Sequence, residues 1–187
     1  MGIPRPARFD LAIVATLEHE GGSRYSDHPA DKGGPTRWGI TAKTLGNWRK
    51  LGRAATPEEV KALERDEACA IYRARYWDAC RCGEMEDQLV AAKVFDLAVN
   101  CGPAAAIRML QKAANRCQPA VLAVDGAIGP KTLAAVSACL PGELVIEMVH
   151  VATEFYLAIV NRTPSQRVFL KGWLRRARFP YDTPEVA

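Results

Sequence analysis

Hydrophobic positions recur at helical spacing along almost the whole chain, and nowhere do they alternate over a length that predicts a long strand. The first helix is expected from Asp10, as its cap, to about Glu20, where Gly21-Gly22 ends it, with Phe9, Ile13, Val14 and Leu17 on one face. Thr41 can cap a short helix carrying Leu45 and Trp48. Thr56-Pro57-Glu58-Glu59 combines a threonine cap, proline at the first helical position and glutamate three after the cap, a strong helix start. A further start at Arg65-Asp66 carries Ala68, Ile71 and Tyr72 and reaches towards Tyr76 and Trp77. Asp87 opens a helix with Val90, Val94, Phe95, Leu97 and Ala98, which runs to Asn100 and Gly102. Pro103 begins the next, with Ile107, Leu110, Ala113 and Ala114 inward. Gly129-Pro130 launches a helix with Leu133 and Val136, and Pro141-Gly142 precedes a long apolar helix to about Val160. A last short helix is expected from Phe169 to Arg178. The pattern therefore predicts a mainly α fold of about eight helices, with at most a short β-hairpin around Arg37 to Ile40.

The 187 residues are 49% hydrophobic and 25% charged, enough to bury one core or those of two small lobes. A net charge of +4 favours an anionic partner without naming one. No zinc-finger spacing, RNP-like aromatic run or dense Lys/Arg block is present, which argues against nucleic acid as that partner. Leu144 to Val160 is the most apolar stretch, but Glu147, His150 and Glu154 interrupt it, so it reads as a buried helix and not as a membrane span. The start MGIPRPARFD lacks the apolar core of a signal peptide, and synthesis in the cytoplasm is expected. Cysteines at 69, 80, 82, 101, 117 and 139 show no C-x-x-C spacing and are expected as free, mostly buried thiols. No cofactor and no metal is expected.

Chemistry concentrates between Glu18 and Thr41. At about 100° per residue Glu20 falls within the apolar arc of the first helix, Glu18 lies at its edge and His19 on the far side. A carboxyl facing a core at the negative end of a helix dipole has its charged form disfavoured twice, so a raised pKa is expected at Glu20, as a general acid requires. Two aspartates, Asp27 and Asp31, follow within the glycine-rich stretch. Asp31 precedes Gly33-Gly34, whose lack of side chains lets a ligand approach the backbone. Asp125-Gly126 and Gly129-Pro130 mark a second punctuated loop, read as structural.

Several motifs together resemble the glycoside hydrolase family 108 muramidases. They are Glu20-Gly21-Gly22, Asp27-x-Pro29-Ala30-Asp31-x-Gly33-Gly34-x-Thr36, Gly39-Ile40-Thr41 and Ile71-Tyr72-x-x-x-Tyr76-Trp77. The later residues Phe95-Asp96-x-x-x-Asn100-x-Gly102, Leu110-Gln111, Asp125-Gly126-x-Ile128-Gly129-Pro130-x-Thr132 and Gly172-Trp173-Leu174-x-Arg176 are similar to the predicted peptidoglycan-binding region of that family. The resemblance implies a lysozyme-like helical bundle with a catalytic muramidase region over 1–97 and a helical peptidoglycan-binding region over 98–187, packed into one globular unit.

It further implies a lysozyme that cleaves the β-1,4 bond between N-acetylmuramic acid and N-acetylglucosamine, of endolysin or secretion-assisting type. Glu20 is the implied proton donor, Asp31 or Asp27 the second carboxylate, and Thr36 the holder of the attacking water, which would give inversion. Tyr25, Arg37 and Trp38 are expected to contact sugars, and Asn100 and Tyr156 the stem peptide. Ser23-Arg24-Tyr25 departs from the family, whose members often place an aromatic directly after the two glycines. Peptidoglycan is the expected partner, reached in the periplasm or wall by holin-like release, without membrane insertion; the oligomeric state is open. The competing readings are a non-catalytic wall-binding protein and a lytic transglycosylase.

Overall fold

The computed structural model describes residues 6–19, 22–27, 34–118 and 122–178. They form two compact units whose boundary falls between Arg75 and Tyr76. The first unit begins with helix α1 (Phe9–His19), which buries Ala12, Ile13, Thr16 and Leu17 and leaves Leu11 and Val14 exposed. Steps of three and four make these one stripe of an α-helix. The stripe corrects the expected face: Val14 is half exposed, and Thr16 is buried in its stead, its hydroxyl donating to the Ala12 carbonyl at 3.3 Å. Asp10 stands inside the first turn and not at the cap, where its charge still suits the positive helix end. The N–H of Gly22, at φ 62°, donates to the carbonyl of Leu17 at 2.8 Å and closes the helix end.

Three two-residue strands follow, β1 (Tyr25–Ser26), β2 (Thr36–Arg37) and β3 (Ile40–Thr41), antiparallel and in that order. The β2–β3 hairpin lies where it was expected. Its turn residues Trp38 and Gly39 have φ of 55° and 71°, both positive as a type I′ hairpin turn requires. Strand β1 adds a third member, pairing Tyr25 with Arg37 and Ser26 with Thr36.

Helix α2 (Ala42–Trp48) is capped by Thr41, whose hydroxyl accepts from the Thr44 N–H. Helix α3 (Pro57–Lys61) opens with a capping box. Thr56 accepts from the Glu59 N–H at 3.3 Å, and the Glu59 carboxylate accepts from the Thr56 N–H at 2.7 Å. Arg53 also holds Glu59, at 2.8 Å. Helix α4 (Arg65–Tyr72) buries Ala68, Ile71 and Tyr72, and Leu45, Val60 and Leu63 of the same unit are also fully buried. A bidentate pair between Arg49 and Glu67, at 2.8 and 2.6 Å, fastens the end of α2 to the first turn of α4. The segment after α2 passes so close to Gly46 that any Cβ there would collide with the Arg53 carbonyl.

The second unit comprises 6–8 and 76–178 of the described residues. A π-helical turn, Arg73–Trp77, leads into it, and a short 3-10 turn, Cys82–Glu84, precedes helix α5 (Gln88–Cys101). Asp87 caps α5 by accepting from the N–H groups of Leu89 and Val90. Helices α6 (Pro103–Cys117), α7 (Pro130–Ser137) and α8 (Pro141–Arg162) follow, then a 3-10 segment, Pro164–Phe169, and α9 (Leu170–Arg178). Helix α6 packs on α5 and α8, and α9 packs on α8. The architecture is mainly α, with nine α-helices and one small sheet among the described residues. No single described helix is long and apolar enough to cross a membrane; α7 and α8 together reach that composition only across a 116° bend.

Polar hubs fix this unit. Gln111, 2% exposed, donates to Asp125 at 2.8 Å and to the Ala127 carbonyl at 3.0 Å, and accepts from the Gly126 N–H at 2.9 Å. Gly126 has φ 80°, and a Cβ there would meet the Ala104 carbonyl at 2.8 Å, so the Asp125-Gly126 turn is a structural clamp on α6. Lys93 is fully buried in α5 and donates to the carbonyls of Arg176 and Ala177 in the last turn of α9. One turn on, Asp96 accepts from Arg176 at 3.0 Å, with 1% of its side chain exposed. A buried ammonium at the negative end of a helix and a buried carboxylate against a guanidinium tie α9 to α5.

Two stability tests follow from these contacts. Replacing Asp96 with Ala removes the carboxylate that the half-buried Arg176 guanidinium donates to, so the Asp96→Ala protein is expected to lose about 1.5–3 kcal/mol in a urea titration. Arg53, and then the Thr56 N–H, hold the Glu59 carboxyl down at about 2. Its contribution is thus fully present above the unfolded value of about 4.3 and is lost as pH falls through about 2. The stability gap between the parent and Glu59→Gln is accordingly expected to shrink between about pH 5 and pH 2; a gap constant with pH refutes the linkage.

Candidate active site

Of the residues expected to act, Glu20 and Asp31 lie outside the described residues, as do Gly21 and Gly33. The others fall into two groups, one in each unit.

In the first unit the small sheet sets the arrangement. Directly paired residues share a face and neighbours along a strand alternate. Tyr25, Arg37 and Ile40 therefore occupy one face, and Ser26, Thr36 and Thr41 the other, as a row of three hydroxyls. Asp27 joins the first face, because the Tyr25 hydroxyl donates to its carboxylate at 2.9 Å. Partial burial, and then Asp27, push the Tyr25 phenol above its ordinary range. The Lys61 ammonium stands 5.0 Å from the centre of the Tyr25 ring, a cation–π distance, and the Lys61 carbonyl accepts from Arg37. The Trp38 indole N–H donates to the Leu63 carbonyl at 3.2 Å, and the Trp38 carbonyl accepts from the Tyr72 hydroxyl at 3.0 Å. Arg37 and Trp38 thus have polar edges bonded to the backbone at the end of α3, while both side chains remain half exposed.

In the second unit Asn100 donates to the Tyr156 hydroxyl at 2.6 Å, with the Cys101 thiol 3.3 Å from the same oxygen. Tyr156 is 1% exposed and stacks on Trp173, with ring centres 5.4 Å apart. Burial first of all pushes its phenol far above the ordinary range. This is the geometry of a packed polar contact, with Asn100 half-buried at its edge.

Among the described residues no group of three or more His, Cys, Asp or Glu is placed to hold a metal. The six cysteines are free; Cys80, Cys82 and Cys139 are buried, and Cys69, Cys101 and Cys117 half-buried. Burial and the neighbouring Cys139 thiol push Cys117 up to about 11.

Residue-type reasoning did not single out Lys61, whose contribution combines its ammonium with a backbone carbonyl. It also passed over Lys93. There a signal existed: Lys93 and Asp96 sit three apart on an otherwise apolar helix face, a spacing that faces them the same way.

Two family models match the chain. The first, Glycosyl hydrolase 108, covers residues 13–102, and the second, Predicted Peptidoglycan domain, covers 105–178. The solved structure of Brucella abortus SagA is 36% identical, with a TM-score of 0.72, over 90% of this chain and 88% of that one. The chain belongs to glycosyl hydrolase family 108. A comparison with curated proteins finds no match. As a family 108 member with a peptidoglycan region, it is a glycoside hydrolase of lysozyme-like type whose substrate and partner is peptidoglycan. The first family match ends at Gly102, the left-handed cap between α5 and α6, whereas the compact units part earlier, between Arg75 and Tyr76.

The Tyr25–Asp27 contact is open to direct test. A spectrophotometric difference titration between the parent and Tyr25→Phe is expected to show one phenol ionising above the ordinary tyrosine range of about 10. Asp27→Asn is expected to lower that ionisation part of the way, since burial, the larger cause, remains; no change on this substitution contradicts the contact.

Proposed function

We propose that this family 108 protein is an N-acetylmuramidase that hydrolyses the β-1,4 bond between N-acetylmuramic acid and N-acetylglucosamine, with Glu20 as proton donor. The supporting observation is the buried stripe of α1. Ile13, Thr16 and Leu17 precede position 20 by seven, four and three residues, the helical steps that keep one face. The Leu17–Gly22 bond closes the chain turn in which Glu20 stands in sequence. A carboxyl held against an apolar face at the carbonyl end of a helix has its charged form disfavoured, as a group that gives its proton to the departing glycosidic oxygen requires.

The second carboxylate assists water on the opposite side of the sugar. Asp27 is bonded to Tyr25 on the sheet face opposite the hydroxyl row that contains Thr36. In the reading where Thr36 holds the attacking water, Asp31 is therefore the carboxylate that activates it. The product then inverts, with the two carboxyls about 6.5–9.5 Å apart. Tyr25, Arg37 and Trp38 line the route of the glycan, and the Asn100–Tyr156 pair serves packing and not recognition. Such an enzyme works wherever peptidoglycan is exposed to it, in the periplasm or wall, as an endolysin or a secretion-assisting muramidase.

Purified protein incubated with peptidoglycan is expected to release muropeptides with reducing muramic acid ends, identified by mass spectrometry. Anhydro ends would establish a transglycosylase instead, and intact glycan a binding protein. Glu20→Gln is expected to lower the rate by about 10²–10⁴. Asp31→Asn is expected to cost much more than Asp27→Asn; the reverse order would exchange their roles.

A further inference from the structure

Two pairs of cysteines bring their thiols into direct contact, Cys80 with Cys82 and Cys117 with Cys139. The first pair is fully buried on both sides, out of reach of any reagent. The second is open to solvent, since Cys117 is half-buried at the end of α6 and Cys139 lies 8% exposed just past α7. Cys69 and Cys101 have neighbours of other kinds, Arg65 with Asp66 for the one and Asn100 with Tyr156 for the other.

Hydrogen bonds fix the second pair independently of the thiol contact. The amide of Gln118, next in the chain to Cys117, donates to the Cys139 sulfur at 3.1 Å and to the Ala135 carbonyl. The Cys139 thiol donates to that same carbonyl at 3.2 Å. Within the intervening loop Asn115 holds Leu122 by donating at 2.9 Å and accepting at 2.6 Å, and Gln111 holds Asp125. The ends of the loop are thus in place before any covalent bond forms. Helix α7 itself is lightly packed: of its eight residues only Thr132 and Val136 are buried.

We propose that Cys117 and Cys139 are a site of oxidative modification, where a reversible disulfide staples the end of α7 to the end of α6, independently of the glycosidase site. The oxidant is a disulfide such as oxidised glutathione. The Cys117 thiolate attacks one of its sulfurs, forming a mixed disulfide and releasing one thiol. The Cys139 thiolate then attacks the Cys117 sulfur and releases the second thiol. The protein gives up two protons and two electrons, and the external disulfide becomes two thiols. Burial, the Cys139 thiol and the Glu147 and Glu143 carboxylates of α8 keep Cys117 protonated at neutral pH, so closure is slow. That suits a structural staple and not a fast redox sensor, which needs an acidic thiol. Closing the 23-residue loop removes freedom from the unfolded chain and holds the helix that packing holds least.

The test compares the full-length protein held in excess oxidised glutathione with the same protein held in dithiothreitol. Trypsin cuts after Arg116, Lys131 and Arg162, which places Cys117 and Cys139 in separate peptides. Mass spectrometry without reduction is expected to find those two peptides joined, two hydrogens lighter than their sum, after oxidation and apart after dithiothreitol. The thermal midpoint is expected to be about 5–10 °C higher in the oxidised protein. Cys117→Ser is expected to lose both the joined peptides and the rise. No joined pair in the oxidised parent would overturn the proposal, as would either cysteine joined to a different partner. A midpoint that does not move on closure, or one that still rises in Cys117→Ser, would equally overturn the staple.

Discussion

The second unit depends on a lysine that is fully buried. Lys93 lies at the centre of an apolar helix face, and the only way to keep an ammonium there is to surround it with oxygen. The last carbonyls of α9 supply that oxygen, and they lack partners of their own because a helix ends there. Two liabilities, a buried cation and an unfinished helix end, cancel each other. Asp96 and Arg176 repeat the exchange one turn away with opposite signs on the two helices. Because each group is costly alone, α9 has one seat on α5. Trp173, Tyr156 and Asn100 are positioned in consequence.

Much of this fold was legible in the sequence where a residue type does one local job. Thr41, Thr56 with Glu59, and Asp87 cap the helices that their types and spacings announced. Gly102 and Gly126 adopt the positive φ that only glycine enters cheaply. The face of α1 was read less well. Phe9, Ile13, Val14 and Leu17 share one arc of a helical projection, but packing selected Ala12 and Thr16 over Val14. Small side chains permit close approach, which a ranking by hydrophobicity cannot register. Strand β1 was invisible for a related reason, since two residues contain no period.

The candidate site was legible as a stretch of sequence more than as an arrangement. Carboxylates, glycines and aromatics marked residues 18–41, and the family match covers them. What spacing could not convey is that Tyr25, Asp27 and Arg37 share one sheet face while Thr36 belongs to the other. Nor could it show that the acceptors holding Arg37 and Trp38 are the carbonyls of Lys61 and Leu63. Main-chain oxygens are common to every residue and leave no trace in composition. Asn100 and Tyr156, 56 residues apart in the chain, are bonded to each other, a pairing that residue type alone could not announce.

The hairpin tip bears on how the first unit moves. Strands of two residues have too few ladder bonds to persist alone. This hairpin is instead held at its turn, where the Trp38 indole and carbonyl and the Arg37 guanidinium are bonded to Leu63, Tyr72 and Lys61. Its lifetime is therefore borrowed from α3 and α4. In hydrogen-exchange terms the amides of β2 and β3 share the opening free energy of those helices and do not fray as a surface loop would. The hairpin strip and the helices behind it form one cooperative unit, so whatever loosens α3 also loosens the strip.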